Sequence, residues 1–435
     1  MGLSFRKLPD LDSIWEKLCI QSSPFVSPEI LNSSKENLPK YKSILSDSLQ
    51  SLESSPDWVD TTMMRYYLKN RLSLAFYSNY AVQSFWEEMT LDFASLASCF
   101  LYSSLLFYRS LSKGLSQFEY FRGNQLDMFQ YSRIFSHARI PGEFEDTYVN
   151  STSSTVIISC RGSLYSLPIP SLETINYKLI FNTLQKILSE KEDDSFSLGY
   201  FTCLPRAEWK CYRDLLIRFP ENLSHLEEIQ TSLLFLCLDT DFSLENSSKG
   251  FAHLQHGNPA NRFFDKSVQL IVSGKYGTGL CVDHNFIDGF TASKFLSHIS
   301  ENWDAFLFDS SAFTDVLPYR KLDWIVDEAI LSALEKSKHD YQQESSQKEY
   351  LAFSVPIFDP KLLTSFGLGL DSLLQVGIHL ALKSFLGTLP SVNEAVLMTH
   401  FLKDRYDTAF TTTPEVLDFL VSWEKGKASI SDLQN

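Results

Sequence analysis

Short apolar runs separated by longer amphipathic stretches set the rhythm of the chain between residues 130 and 300. Val156 to Ser159, Phe235 to Leu238, Val268 to Val272 and Leu280 to Asp283 are too short for helices and suit buried strands. Helical patterns alternate with them, and this alternation predicts an α/β fold. Upstream, residues 20 to 56 begin as a Ser-rich polar segment. Leu38, Tyr41, Ile44, Leu45, Leu49 and Leu52 then recur at the spacing of an amphipathic helix. Residues 58 to 72 read as helix, and residues 84 to 115, apolar with small residues between, as buried helices. Residues 337 to 349 are polar and are expected as a surface loop or a frayed helix end. Asp371 to Leu386 reads as an amphipathic helix stopped by Gly387 and Pro390.

Composition narrows the class. The chain has 435 residues, 44% of them hydrophobic, enough for a large core and one to three domains. Its 34 Phe and 19 Tyr argue against disorder. The net charge of −15 repels phosphate backbones and anionic membranes, so nucleic acid is not an expected partner. The 7 cysteines are scattered without a C-x-x-C pair, and read as buried thiols in a reducing compartment. No apolar run is long enough to span a bilayer. The charged, proline-bearing start is a poor signal peptide, Arg6 stands where a myristoylation motif needs Ser or Thr, and SISDLQN is no peroxisomal tripeptide. A cytoplasmic location is the default expectation, with mitochondrion and peroxisome left open.

Candidate chemistry is densest in residues 261 to 289, NRFFDKSVQLIVSGKYGTGLCVDHNFIDG. A strand-like run, a turn with Gly274, Gly277 and Gly279, and a second run lead to His284, Asp288 and Gly289. An imidazole titrates near neutrality, about pH 6.5, so a fixed histidine can take a proton from a hydroxyl or thiol and return it. His284 reads either as such a base or as a hydrogen-bonded strand-end residue. Asp288 either orients His284 or belongs to a structural ion pair. His253 and His256 are spaced like a helical metal pair, but nothing completes a site, and they are expected as loop or surface histidines together with His137, His379 and His400.

Several blocks in order along the chain carry a family resemblance. Asn261-Arg262-Phe263-Phe264-Asp265-Lys266, followed by Gln269, Ile271 and Val272, resembles the N-R-W-F-D-K-x-x-Q-x-I-V block of the choline/carnitine acyltransferases. Gln130-Tyr131-Ser132-Arg133-Ile134-Phe135 with Arg139-Ile140-Pro141-Gly142 resembles their Q-Y-x-R-x-F and R-I-P-G stretch. Cys160-Arg161-Gly162 with Tyr165 is similar to C-R-G-x-x-Y, and Gly199 to Thr202 with Arg206, Trp209 and Arg213 to G-x-L-T and R-x-x-W-x-x-x-R.

The resemblance implies a two-domain, chloramphenicol-acetyltransferase-like α/β fold with a tunnel between the halves. On that basis residues 1–75 are expected as a helical segment packing on the second domain, 76–325 as the first domain, carrying His284, and 326–435 as a shortened, incomplete second domain. It implies His284 as general base for direct acyl transfer between coenzyme A and a small alcohol such as carnitine or choline. Acyl-coenzyme A is then a co-substrate, with no permanently bound cofactor and no metal. Asp404-Arg405-Tyr406-Asp407-Thr408 resembles the G-R-T-x-T segment whose arginine meets the acid of the histidine motif. This implies an Asp288–Arg405–Tyr77 cluster bracing the histidine loop, with Asp371 at a helix start that faces coenzyme A.

Three departures favour rival readings. Phe366-Gly367 runs straight into Leu368-Gly369-Leu370-Asp371, without the lysines that hold the 3′-phosphate in the family. Charge-assisted bonds of that kind are worth roughly 1.5–3 kcal/mol each, so coenzyme A affinity is expected to fall about tenfold or more. Asn393-Glu394 replaces the family's Tyr-Glu, and Tyr406 its threonine, which disfavours a carnitine carboxylate clamp. The family's S-T-S, an oxyanion-stabilising motif, lies C-terminal to the histidine, whereas Ser151-Thr152-Ser153 precedes it and reads as a polar turn. A non-catalytic relative acting as a binding or regulatory protein is therefore the alternative. A third possibility, another H-x-x-x-D-G acyltransferase class, explains the motif but not the flanking blocks.

Overall fold

The computed structural model describes residues 3–85, 91–116, 119–190, 196–242, 248–274, 277–301, 303, 306, 315–353, 360–429 and 431. Residues 86–90, within the stretch expected as buried helices, and most of SISDLQN lie outside them. The chain divides into a central unit, Thr61–Ala352, and a terminal unit, Met1–Asp60 with Phe353–Asn435. The boundaries were expected near 75 and 325. Leu74, Ala75 and Phe76 at one end, and Ile330, Ala333 and Leu334 at the other, are buried in a core of the central unit, which draws both segments into it.

The central unit is built on a seven-stranded mixed sheet. Its strands are β1 (Asn79–Phe85), β6 (Thr155–Cys160), β7 (Ser163–Pro168), β8 (Leu234–Asp239), β9 (Val268–Ser273), β10 (Gly277–Asp283) and β11 (Arg320–Lys321), in the order β1-β10-β9-β8-β6-β7-β11. The remaining strands of this unit form two hairpins, β2 (Tyr120–Phe121) with β3 (Asn124–Gln125), and β4 (His137–Ile140) with β5 (Thr147–Asn150). Strands β6, β8 and β9 run parallel at the sheet centre; β1, β10, β7 and β11 pair antiparallel at its flanks. The four apolar runs expected as strands lie in β6, β8, β9 and β10.

Side chains alternate between two cores, as the pleat demands. Val156, Ile158, Leu236, Leu270, Leu280 and Val282 meet the helices Phe93–Ser112, Tyr177–Leu188 and Gly289–Ile299 on one face. Ile157, Phe235, Ile271 and Cys281 meet Arg206–Leu216, Pro220–Thr231, Ser248–Gln255 and Glu328–Ser346 on the other. The glycine of the G-Y-F-T block has a packing reason: a Cβ on Gly199 would stand 1.8 Å from the Pro259 carbonyl oxygen.

Residues 337 to 349 depart from expectation. The helix Glu328–Ser346 continues through most of them, capped by the Asp327 carboxylate accepting from the Ile330 amide. Their charges sit at helical spacing, Lys336 with Asp340 and Glu344 with Lys348, so a polar stretch without an apolar stripe still supports a helix. Near the N-terminus, the helix Leu11–Ser22 is followed by Pro28–Glu36, which forms within the polar entry segment, and by Leu38–Glu53, the amphipathic helix expected from its leucine spacing. Prolines at the first turns of the latter two suit positions where no amide donor is needed.

Within the terminal unit the helices Pro360–Ser365, Leu370–Leu386 and Pro414–Glu424 accompany a hairpin, β12 (Asn393–Leu397) with β13 (Tyr406–Phe410). Arg6 pairs with Asp404 at 2.8 Å and Asp407 at 2.7 Å, tying the N-terminal segment to the hairpin. His379 is buried, bonded to the Gln375 carbonyl and the Thr412 hydroxyl.

Lys266 is wholly buried, with its amine donating to the carbonyls of Gln230 and Ser232. Burial without a carboxylate partner pushes its pKa down to about 7. The native state therefore sheds this proton well before the unfolded chain, whose lysine titrates near pH 10.4. Between those values the unfolded state holds more protons, so this group makes stability rise with pH, by at most about 1.4 kcal/mol per pH unit. Urea midpoints at pH 7, 8 and 9 are expected to climb relative to Lys266→Met; parallel pH profiles would contradict the assignment.

Candidate active site

The strand β10 ends at Asp283, and the turn that follows carries His284. Asp283 is anchored twice through its backbone, its amide donating to the Ser267 carbonyl at 2.9 Å and its carbonyl accepting from Phe286. Its carboxylate caps the turn by accepting from the Asn285 amide at 3.0 Å. Val282 and Asp283 before the histidine and Phe286 and Ile287 after it are fully buried, so the turn is pinned on either side of His284. The side chain of His284 is about 31% exposed, which leaves an imidazole reachable from outside a rigid frame.

Three aromatic and acidic contacts orient that ring. Tyr67 stacks on it, with centroids 5.2 Å apart and planes at 24°. Tyr80 meets it edge-on at 5.2 Å, while the Tyr80 hydroxyl donates to the Ile287 carbonyl at 3.1 Å. Nδ1 faces the Asp288 carboxylate at 3.5 Å, a loose approach. An acid on that side favours a proton on Nδ1 and leaves Nε2 as the basic atom.

Asp288 sits at the N-cap of the helix Gly289–Ile299 and is fixed by Gln130. The Gln130 amide group donates to Oδ2 at 2.9 Å and its carbonyl accepts from the Asp288 backbone amide at 2.8 Å. This reciprocal pair fixes the loop against the segment that begins the Q-Y-x-R-x-F block.

Behind the turn lies a buried charge network. Asp146 accepts from Arg139 at 2.8 Å, Arg206 at 2.6 Å and Arg71 at 2.8 Å. Arg206 also pairs with Asp265 at 2.5 Å, whose other oxygen accepts from the Trp209 indole at 2.6 Å. Arg139 reaches Asp283 at 3.8 Å and donates to the carbonyl of Tyr67 at 2.9 Å. One arginine thus touches both the strand end that carries His284 and the backbone of the residue stacked on it.

The other histidines do different work. His253, expected at the surface, is buried, with Nε2 on Asp239 at 2.7 Å and Phe242 stacked on its ring at 3.8 Å. The reason is Asp239: burial alone would raise its carboxyl, but Arg262 and His253 hold it below the usual carboxylate range. Ser273 approaches the same Nε2 at 3.5 Å, so this Ser, His and Asp share one nitrogen and cannot relay a proton across the ring. His256 and His137 are also buried, contrary to expectation, and burial lowers each to about 4. Ser151 to Ser153 form the expected polar turn, with the Ser151 and Ser153 hydroxyls accepting backbone amides before β6.

Of the residues expected around His284, the central unit brings Asp288 to it. The Tyr77 hydroxyl donates to Glu344 at 2.6 Å, and Lys348 lies over its ring. Arg405 lies in the terminal unit, buried, with its amide donating to the Asp404 carboxylate and its carbonyl accepting from Met398. Asp371 is exposed in the first turn of Leu370–Leu386. Tyr67, Tyr80 and Gln130 were not singled out from sequence. Gln130 stands in a recognised block, but nothing in a lone glutamine tells that its two ends grip an acid 158 positions away. No group of three or more potential metal ligands occurs among the described residues.

The sequence model of the family described as Choline/Carnitine o-acyltransferase matches residues 7–435. Choline O-acetyltransferase of Sus scrofa is 27% identical over 404 residues, covering 86% of this chain and 62% of that protein. Peroxisomal carnitine O-octanoyltransferase of Bos taurus is 24% identical over 459 residues, covering 97% and 74%. The mitochondrial carnitine O-acetyltransferase of Saccharomyces cerevisiae is 23% identical over 376 residues, covering 82% and 56%. The chain thus spans less than two thirds of the acetyltransferases it matches.

The Gln130 grip makes a direct prediction. Gln130→Leu keeps the volume but removes both bonds to Asp288, and is expected to cost about 1–3 kcal/mol. Urea unfolding measures it; an unchanged midpoint would contradict the role given to the pair.

Proposed function

The chain belongs to the choline/carnitine O-acyltransferase family, and from that premise we propose that it moves an acyl group between coenzyme A and a small hydroxyl acceptor. The observation that carries this reading is His284: a partly exposed imidazole at a strand end, stacked by Tyr67, with Asp288 on its Nδ1 side. Nε2 takes the proton of the acceptor hydroxyl as its oxygen attacks the thioester carbonyl carbon. The tetrahedral intermediate collapses, the C–S bond breaks, and the departing thiolate takes the proton back from Nε2. Asp288 keeps the ring in one tautomer and stabilises the transient imidazolium. A positioned base contributes about 10²–10⁴-fold, and holding both substrates against it supplies orientation.

Acyl-coenzyme A is a co-substrate in this reading, and no resident cofactor takes part. Arg405 is assigned as the partner of Asp288, and Asp371 as a contact for coenzyme A, on the resemblance alone. The two-domain chloramphenicol-acetyltransferase-like arrangement and a cytoplasmic location are part of the same proposal. No helix among the described residues is long and apolar enough to cross a membrane.

One observation favours a second reading. Phe366 and Gly367 close a tight turn onto Leu363 and Thr364, and the helix Leu370–Leu386 starts just beyond, with no lysine in the turn. A weak grip on the phosphates of coenzyme A would suit a binding or regulatory relative without turnover.

Thiol release from acetyl- and octanoyl-coenzyme A, with choline, carnitine and simple alcohols as acceptors, separates the readings. His284→Ala is expected to lower kcat by about 10²–10⁴-fold. Tyr67→Phe is expected to retain most activity, because it keeps the stacked ring and the carbonyl held by Arg139, whereas Tyr67→Ala loses at least tenfold in kcat. Equal rates for wild type and His284→Ala would overturn the base. No turnover with any acceptor, together with no coenzyme A binding by calorimetry, would select the second reading.

A further inference from the structure

A cavity of about 440 Å³ lies on the face of the sheet opposite the histidine turn. Phe76 and Leu204 on its wall belong to the core under the helices Arg206–Leu216 and Glu328–Ser346, whereas Phe286 and Ile287 beside His284 belong to the other core. The cavity lining carries Phe76, Tyr77 and Tyr341 together with Glu208, Asp340, Glu344 and a single basic side chain, Lys336. We propose that this cavity binds a small organic ammonium ion, with Glu344 as counter-ion and the aromatic rings against its apolar body.

Charge argues for a cation. Three carboxylates face one ammonium among the lining side chains. Lys336 is already divided between Asp340 at 2.6 Å and Glu208 at 3.3 Å. Glu344 accepts the Tyr77 hydroxyl at 2.6 Å and pairs with Lys348 from outside the lining, and chiefly the hydroxyl bond holds its carboxyl below the ordinary range. An anionic nucleotide such as coenzyme A is the wrong sign for this surface.

The rings themselves show what they accept. Lys348, from the rim, places its ammonium 4.0 Å from the Tyr77 ring centroid and 5.9 Å from that of Phe76, and pairs with Glu344 at 3.1 Å. Ring faces attract cations, and alkylated ammonium ions lose less hydration than lysine on reaching them. A ligand ammonium would take the place of Lys348 over Tyr77 while its substituents fill the cavity beside Phe76 and Tyr341. Those two rings are fixed behind, with centroids 5.8 Å apart and the Tyr341 hydroxyl donating to the His256 carbonyl at 3.1 Å.

Calorimetric titration of the full chain with benzyltrimethylammonium and with phenylacetate tests the proposal. The cation is expected to bind with Kd on the order of 0.1–1 mM, and the anion at least about tenfold more weakly. Glu344→Gln and Tyr341→Ala should each weaken the cation at least about fivefold. Lys348→Met, which removes the competing ammonium, should tighten it, and His284→Ala should leave it unchanged. The last arm separates this cavity from acceptor binding at the proposed base. Absence of saturable binding, equal binding of phenylacetate, or loss of binding in His284→Ala with retention in Glu344→Gln would each overturn it.

Discussion

The charge network around Asp146 is the constraint on which the central unit depends. Arg139, Arg206, Asp146, Asp265 and Asp283 are all withdrawn from water, with the partly exposed Arg71 closing the set. Removing one partner from such a buried set costs about 3–5 kcal/mol, because it strands a charge rather than merely deleting an attraction. Three arginines against three carboxylates leave the set neutral, so it is stable only when assembled whole. Apart from Arg139 and Asp146, which lie seven residues apart around the β4–β5 hairpin, the members come from separate stretches of chain, and the network thereby ties together segments distant in sequence. The Asp239, Arg262 and His253 cluster applies the same rule at the other end of β8 and β9.

This neutral core sets where a reactive imidazole can be held. Chemistry at an exposed residue needs a rigid support, since a misplaced base loses the benefit of proximity. Arg139 supplies that support in two directions, toward Asp283 in the strand end and toward the backbone of Tyr67. Gln130 does so from a third side through Asp288. His284 itself makes few demands on the core, which is why it can remain partly exposed. Among the histidines that pack inside, His137 and His256 are lowered to about 4 by burial, which favours their neutral form.

Much of this was legible in sequence, though for different reasons in different places. The strands announced themselves by apolar runs, and the His284 turn by its glycine-flanked setting and neighbouring blocks. Arg139, Arg206, Trp209 and Asp265 were each visible as members of resembling blocks, yet their mutual contacts were not, because pairing across long separations leaves no periodic trace. Burial of charge was the main blind spot. Lys266, Arg262 and His253 look like surface residues by type, and the inside of the protein accepts them only because specific carbonyls and Asp239 wait there. The helix Glu328–Ser346 was missed at its C-terminal end for the opposite reason, since a stripe of paired charges mimics a loop when only hydrophobic spacing is read.

The central claim is that the buried network, through Arg139, holds the histidine turn in place. Hydrogen exchange read by mass spectrometry on Arg139→Met measures this directly. Faster exchange is expected in peptides covering residues 280–290 and 63–68, with peptides from the sheet centre, residues 155–160 and 234–239, keeping their protection. If the 280–290 peptide exchanges as slowly as in the wild type, the turn is held by something else and the network is only a feature of the core.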